Sequence, residues 1–233
     1  MLVAQRIMRD VVRSGMSPGR VLPPERTMME EYETGRGTLR EALRLLEMQG
    51  VIALKPGPRG GPVLLKPNSS YLASTLVLLM QLNDAPFRSI VQVRSAMEPM
   101  ISSLAATRID EDALAALDHT ITQMRTSLDD QQVFLEANKR FHDRIAWSSG
   151  NPLFGYLIES LLGIMDGTVI GIDYPRPRRE AILRAHTEIY HALLARDADA
   201  SLARMREHID AYERYARRKF PDVLDQVIRW DRL

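Results

Sequence analysis

The chain has 233 residues, a formal net charge of +1, 45% hydrophobic and 26% charged residues, and no cysteine. That balance fits a soluble globular protein of one or two domains and excludes intrinsic disorder. The absence of cysteine excludes disulfides, thiolate metal sites and a cysteine nucleophile. The longest apolar run, 76–80, falls far short of the roughly 18 residues a membrane span needs, and Arg6 and Arg9 interrupt the apolar pattern of the N-terminus. A cytoplasmic protein without membrane contact is expected.

Charge is unevenly placed. Residues 1–66 carry eleven Lys or Arg against seven Asp or Glu, and the remainder carries 20 against 23. A basic head on a mildly acidic body suits a polyanionic partner for the head. In the head, Val3, Ile7 and Val11 share one face of a first helix, which Ser14-Gly15 and Ser17-Pro18-Gly19 end. Pro23-Pro24 opens a second helix over about 24–32. Gly35 and Gly37 make a turn, and Thr38 caps or begins a third helix that ends before Gly50, with Leu39, Leu43 and Leu46 facing inward. Strands are expected at 51–54 and 62–65, joined by a tight Gly/Pro loop. This order is that of a winged helix-turn-helix.

Such a head reads DNA with the N-terminal end of its third helix in the major groove. Arg36 stands just before that end and Arg40 one turn in, where arginine can bond guanine in bidentate fashion. Thr38 can donate to a phosphate beside the free N–H groups of the helix start. Arg26 can reach the DNA backbone. Arg59, with Gly60 beside it, forms a thin basic wing tip suited to the minor groove. Arg44 reads as a solvated surface residue. The stretches S-P-G-R-V-L-P-P-E-R (17–26) and G-R-G-T-L-R-E-A-L-R (35–44), with the Gly-rich wing, resemble the GntR family of bacterial repressors. That resemblance implies that Arg26, Arg36, Thr38, Arg40 and the wing glycine contact operator DNA. One departure is Gly35, where the family usually has Ser or Thr; it removes a phosphate donor.

The head is assigned to 1–67, a mainly α body to 71–220, and a tail to 221–233. The body reads as an all-α bundle of six or seven amphipathic helices, one of them over about 153–168. Asn138 and His142 are four residues apart and stack on one helix face. His186 and His208 lie on two helices joined at 196–199, whose antiparallel pairing sets them side by side. Three imidazoles and a side-chain oxygen can make a divalent metal site with open positions; isolated histidines on helices are otherwise ordinary core or surface residues. Arg94 either pairs with Glu98 one turn away or clamps a carboxylate ligand. His119 and His191 read as structural or solvated, and Phe141 and Trp147 as core. Asp143 and Glu188 are either partners that orient imidazoles or solvated charges.

The segments F-L-E-A-N-K-R-F-H-D-R-I-A-W-S-S-G-N-P-L (134–153) and 185–208 resemble the FCD effector domain of FadR-like GntR regulators. The resemblance implies a metal held by an Asp and three His, which fall on Asn138, His142, His186 and His208. Asn138 replaces the carboxylate with a neutral amide, a poorer ligand. Zinc is the default ion, with nickel, iron and manganese open. The resemblance also implies that Arg94 binds effector. The expected function is a ligand-responsive transcriptional regulator, a repressor that binds a palindromic double-stranded DNA operator as a homodimer and senses a small organic acid. It is not expected to be an enzyme, as no H-E-x-x-H, G-x-S-x-G or phosphate-loop motif is present. The rivals are a metal-dependent enzyme acting on a small carboxylate and an effector-blind DNA binder.

Overall fold

The computed structural model describes residues 1–57, 60–66, 68–165 and 171–232. The chain divides into two compact units, Met1–Tyr71 and Leu72–Leu233. Among the described residues both are mainly helical, with one two-stranded antiparallel sheet in the first.

The first unit opens with α1 (Leu2–Arg13), α2 (Glu25–Glu31) and α3 (Arg36–Met48). Ala4, Ile7 and Val11 of α1 are buried, while Val3 is only half-buried. They pack with Met28 of α2 and with Leu39, Leu43 and Leu46 of α3 in one apolar cluster. Leu39 and Leu43 are fully enclosed, and truncating either to alanine costs about 2–5 kcal/mol. Helix α3 starts two residues earlier than the turn-forming glycines suggested. Gly35, in extended conformation (φ −77°, ψ 159°), is its N-cap and supplies no side-chain hydrogen bond. Glycine is tolerated there because the cap residue stands outside the helical region.

Strands β1 (Ile52–Lys55) and β2 (Gly61–Leu64) pair Ile52 with Leu64 and Lys55 with Gly61. The sequence did not announce an isolated bridge beside this hairpin. Val21 bridges Val63, Leu22 N–H donates to the Pro62 carbonyl at 2.8 Å, and Leu64 N–H donates to the Arg20 carbonyl at 2.9 Å. The segment Ser17-Pro18-Gly19 hides it, because those residues signal a turn. In the wing, a Cβ on Gly60 would stand 2.1 Å from the Lys55 carbonyl oxygen, so the loop closes only around glycine.

The second unit contains all but the first two residues of α4 (Ser70–Leu82), and α5 (Arg88–Ala106), α6 (Glu111–Thr126), α7 (Gln131–Ser148), α8 (Pro152–Ile164), α9 (Arg176–Leu194), α10 (Ala198–Lys219) and the short α11 (Pro221–Asp225). Side-chain caps set several starts: Asp110 accepts from Ala113 N–H, Asp130 from Val133 N–H, Asn151 from Leu153 N–H and Asp197 from Ala200 N–H. Each satisfies a donor the helix cannot, worth about 1 kcal/mol. Apolar faces of α5, α6, α7, α8, α9 and α10 meet in one core that includes Phe134, Phe141, Ile189 and Ile209. Helix α8 ends at Ile164, short of the expected 168; residues 166–168 lie outside the described ones.

The segment after 220 is not a free tail. Leu224 enters the core, Arg88 pairs with Asp225 at 2.7 Å, and Phe87 N–H donates to the Gln226 carbonyl at 2.8 Å. Trp230 donates through its backbone N–H to Gln81 and through its indole to Ser74, both at 2.7 Å. Short polar stretches between these contacts gave the sequence no helical period to read.

Candidate functional site

Helix α3 carries the head's candidate contacts. Burying Leu39 and Leu43 turns Arg36, Arg40 and Arg44, spaced by four, to solvent. Arg36 is the first helical residue rather than the one before it, and Thr38 sits in the same first turn. Both are exposed beside N–H groups that the helix leaves unbonded. Arg40 donates through Nε to Glu25 of α2 at 3.2 Å, an exposed pair. Arg26 reaches Glu30 at 3.4 Å and is 92% exposed at its side chain, so that pair is a weak tether. Gly60 shapes the wing turn; Arg59 lies outside the described residues.

In the second unit, α7, α9 and α10 bring His142, His186 and His208 together. The connection at Arg196, in the left-handed region (φ 53°), reverses the chain so that α9 and α10 run antiparallel. His186 Nε2 and His142 Nε2 each lie 3.2 Å from His208 Nε2, and all three rings are buried. Phe141 stacks on His186 with centroids 4.1 Å apart, a core role that also fixes the ring. Burial, reinforced by the neighbouring imidazoles, pushes His186 and His208 well below the usual histidine range, which keeps them neutral.

Glu98 of α5 completes the arrangement. Its carboxylate lies 2.6 Å from His142 Nδ1, and it is hydrogen-bonded to Arg94 through its other oxygen. Burial opposes ionisation of Glu98, but Arg94 and His142 override it and hold its carboxyl below the ordinary range. An ionised carboxylate only accepts, so His142 Nδ1 carries the proton and Nε2 presents a lone pair to the other two rings. His186 Nδ1 is buried without a hydrogen-bond partner. Three imidazoles with converging Nε2 atoms form a donor set that fits a divalent cation. Glu98, 44 residues from His142, was visible in the sequence only as a neighbour of Arg94. Asp143 and Glu188 do not orient the rings: Asp143 faces Glu159 and Trp147, and Glu188 lies 3.5 Å from Arg204.

A cavity of about 450 Å³ opens beside this cluster. Arg94, Asn138, His142, His208, Tyr174 and Tyr212 line it, while His186 stands behind the wall. Its size suits a small molecule. Arg94 pairs with Glu98, as the first of its two readings expected, sends Nη1 toward Met165 Sδ at 3.2 Å, and forms part of the wall. Asn138 joins the same wall one turn before His142. Trp147, expected in the core, is 38% exposed and packs edge-on against Tyr156. His119 and His191 are exposed and apart from the cluster.

Residues 2–59 match the model of bacterial regulatory proteins of the gntR family, and residues 89–211 match the FCD domain. The chain belongs to the gntR family of bacterial regulatory proteins. This regulator is 32% identical over 207 residues to an HTH-type transcriptional regulator, YcbG, of Bacillus subtilis, covering 89% of this chain and 85% of that one. It is 29% identical over 200 residues to the galactonate operon transcriptional repressor of Escherichia coli, covering 83% and 86%. Among solved structures, Streptococcus agalactiae GntR aligns with a TM-score of 0.77 at 24% identity over 92% of this chain and 99% of that one, a likeness of fold. The regulator is thus a winged helix-turn-helix head joined to a helical effector-domain body. No helix among its described residues is long and apolar enough to cross a membrane.

Proposed function

We propose that this regulator is a repressor that binds a palindromic double-stranded operator as a homodimer and releases it when a small organic acid enters the cavity of the body. The observation that carries the reading is the convergence of three imidazole nitrogens beside a cavity whose wall holds a guanidinium. His142, His186 and His208 would hold the ion, with the Asn138 amide as a weak fourth donor; zinc suits them, and nickel, iron or manganese accept the same donors. When bound, such an ion supplies positive charge that attracts a carboxylate. The chain's own residues do the rest. Glu98 holds the His142 proton at Nδ1, Arg94 offers planar N–H donors to an acid, and Tyr174 and Tyr212 add hydroxyls to the lining.

Leu78, Leu79 and Leu82 of α4 and Val93 and Met100 of α5 are large apolar side chains left exposed, which supports pairing of two bodies. Two heads on one operator would then read two half-sites, through Arg36 and Arg40 on bases and through Arg26, Thr38 and the Arg59–Gly60 wing on backbone and minor groove. The galactonate operon repressor among the relatives supports an operon of organic-acid metabolism as the target class. The test is a pair of measurements on the full chain. R36A/R40A should lose discrimination between operator and random DNA in an anisotropy titration. H142A/H208A should lose the metal that native mass spectrometry finds on the parent protein. Unchanged sequence preference would refute the DNA assignment, and metal retained at full stoichiometry would refute the ion site.

A further inference from the structure

The cavity wall holds three buried or half-buried guanidiniums, of Arg94, Arg140 and Arg178, in different electrical states. Arg94 carries its own counter-ion: Glu98 is its partner, and both side chains are almost wholly buried, at 7% and 3% exposure. Arg178 of α9 has none. Its Nε is buried without a hydrogen-bond partner, and among the described residues it takes no ion pair. What holds it is the Tyr215 ring, over which its guanidinium carbon lies 4.7 Å from the centroid. Buried polar groups are nearly always bonded, and an unpaired half-buried cation is costly. Arg178 lines the effector cavity and also two neighbouring clefts, and is half-buried, so it stands at the edge of the cavity.

Neither carboxylate at or behind the wall supplies its missing partner. Glu136 lies 3.3 Å from Arg140, which also reaches Gln123 at 3.1 Å. Glu98 is committed to Arg94 and His142. Asn138 is neutral where a carboxylate would have contributed a negative charge. With a divalent ion on the histidines, the cavity would hold the charge of that ion, of Arg178 and of Lys139, which unlike Arg178 has no buried unbonded atom, with no unpaired carboxylate among the described lining residues to balance them. A ligand with one negative charge leaves much of this uncompensated; a dianion leaves less.

We infer that the cavity is built for an effector with two acidic groups, one directed at the histidine cluster and Arg94 and the other at Arg178. The inference rests on the reading of the cavity as an acid sensor and adds to it the class of ligand. The second group is a carboxylate or a phosphate-like oxyanion, since a guanidinium fork accepts both. Arg178 is then a specificity-determining residue: it separates dianions from monoanions of equal length.

The test uses the full-length protein saturated with Zn(II) and isothermal titration with three acids of matched chain: pentanoate, glutarate and 4-phosphonobutanoate. Glutarate should bind at least tenfold more tightly than pentanoate, and its ratio to 4-phosphonobutanoate identifies which second group fits better. R178Q should erase the advantage of both dianions while leaving pentanoate affinity and zinc stoichiometry unchanged. R178K, which keeps the charge without the planar fork, should retain part of it. K139Q, a change in the other unpaired cation of the wall, should retain all of it. Equal affinity for pentanoate and the dianions, or an advantage that survives in R178Q or vanishes in K139Q, overturns the inference and leaves acid sensing intact. Failure of all three acids to bind overturns both.

Discussion

Glu98 is one carboxylate serving two partners on two helices, Arg94 of its own and His142 of α7. E98Q keeps the shape but loses the charge that orients His142 and neutralises Arg94. Metal affinity should fall about 10–100-fold, as for other partners of ligating histidines, which a chelator-competition titration would read. An unchanged affinity would mean that the rings are held by packing alone. Asp143, the next residue along from His142, is a separate case. Burial, with Glu159 adding to it, pushes its carboxyl up to about 6. A raised carboxyl favours folding below the ordinary pKa and loses that contribution as pH rises through about 6, so at pH 7 the charge opposes folding. D143N should therefore melt higher than the parent at pH 7.5, by a gain of about 1 kcal/mol after allowance for its partial exposure, and equally at pH 4. The histidine triad was legible because i, i+4 spacing and a helical hairpin are local rules. Glu98 and Arg178 were not, because their roles depend on burial and on partners distant in the chain. Nothing in a sequence with many arginines marks a half-buried one on a cavity wall that lacks a counter-ion.

At the scale of elements, the heptad-like spacing of Leu39, Leu43 and Leu46 made α3 easy to read, but its first turn was misplaced by two residues. Glycine propensity argued for a turn at 35–37, whereas the packing of Leu39 draws the helix back to Arg36. That shift places Arg36 inside the electropositive first turn. Gly35 has no close neighbour to meet a new Cβ, and its backbone is extended, so a side chain fits there without strain. G35S should supply the missing cap and a hydroxyl for a phosphate. Head stability should rise by a few tenths of a kcal/mol and operator affinity by a few-fold, in a DNA titration at fixed salt. Unchanged affinity would show that the cap position does not face the DNA backbone. The strands were readable in kind but displaced by one residue in opposite senses, β1 later and β2 earlier, since the pairing of Lys55 with Gly61 brings both strands closer to the wing turn than their apolar runs suggest.

At the scale of the whole molecule, the division into a DNA-reading head and a helical body was legible from the change in glycine, proline and charge along the chain. The closing segment was not. Leu224, Asp225 and Trp230 each touch residues more than a hundred positions earlier in the sequence or the buried core, so no local pattern predicts them. Truncation after Phe220 should expose the core beneath Leu224 and cost about 2–3 kcal/mol from that side chain alone. For a protein of this size the loss corresponds to a fall of roughly 5–10 °C in Tm by calorimetry. A truncated chain that melts with the parent would restore the description of this segment as a tail.

The chain has two tryptophans, and the fold puts them in separate places. Trp147 lies on α7 a turn and a half beyond His142, edge-on to Tyr156 at 4.9 Å, and Trp230 is bonded to Ser74 of α4. Their light therefore reports two different events. With Trp230 replaced by phenylalanine, ultraviolet emission comes from a single fluorophore on the helix that carries both Asn138 and His142. Any settling of that helix as the cavity fills becomes an optical signal, readable in a stopped-flow cell without a dye, a label or DNA.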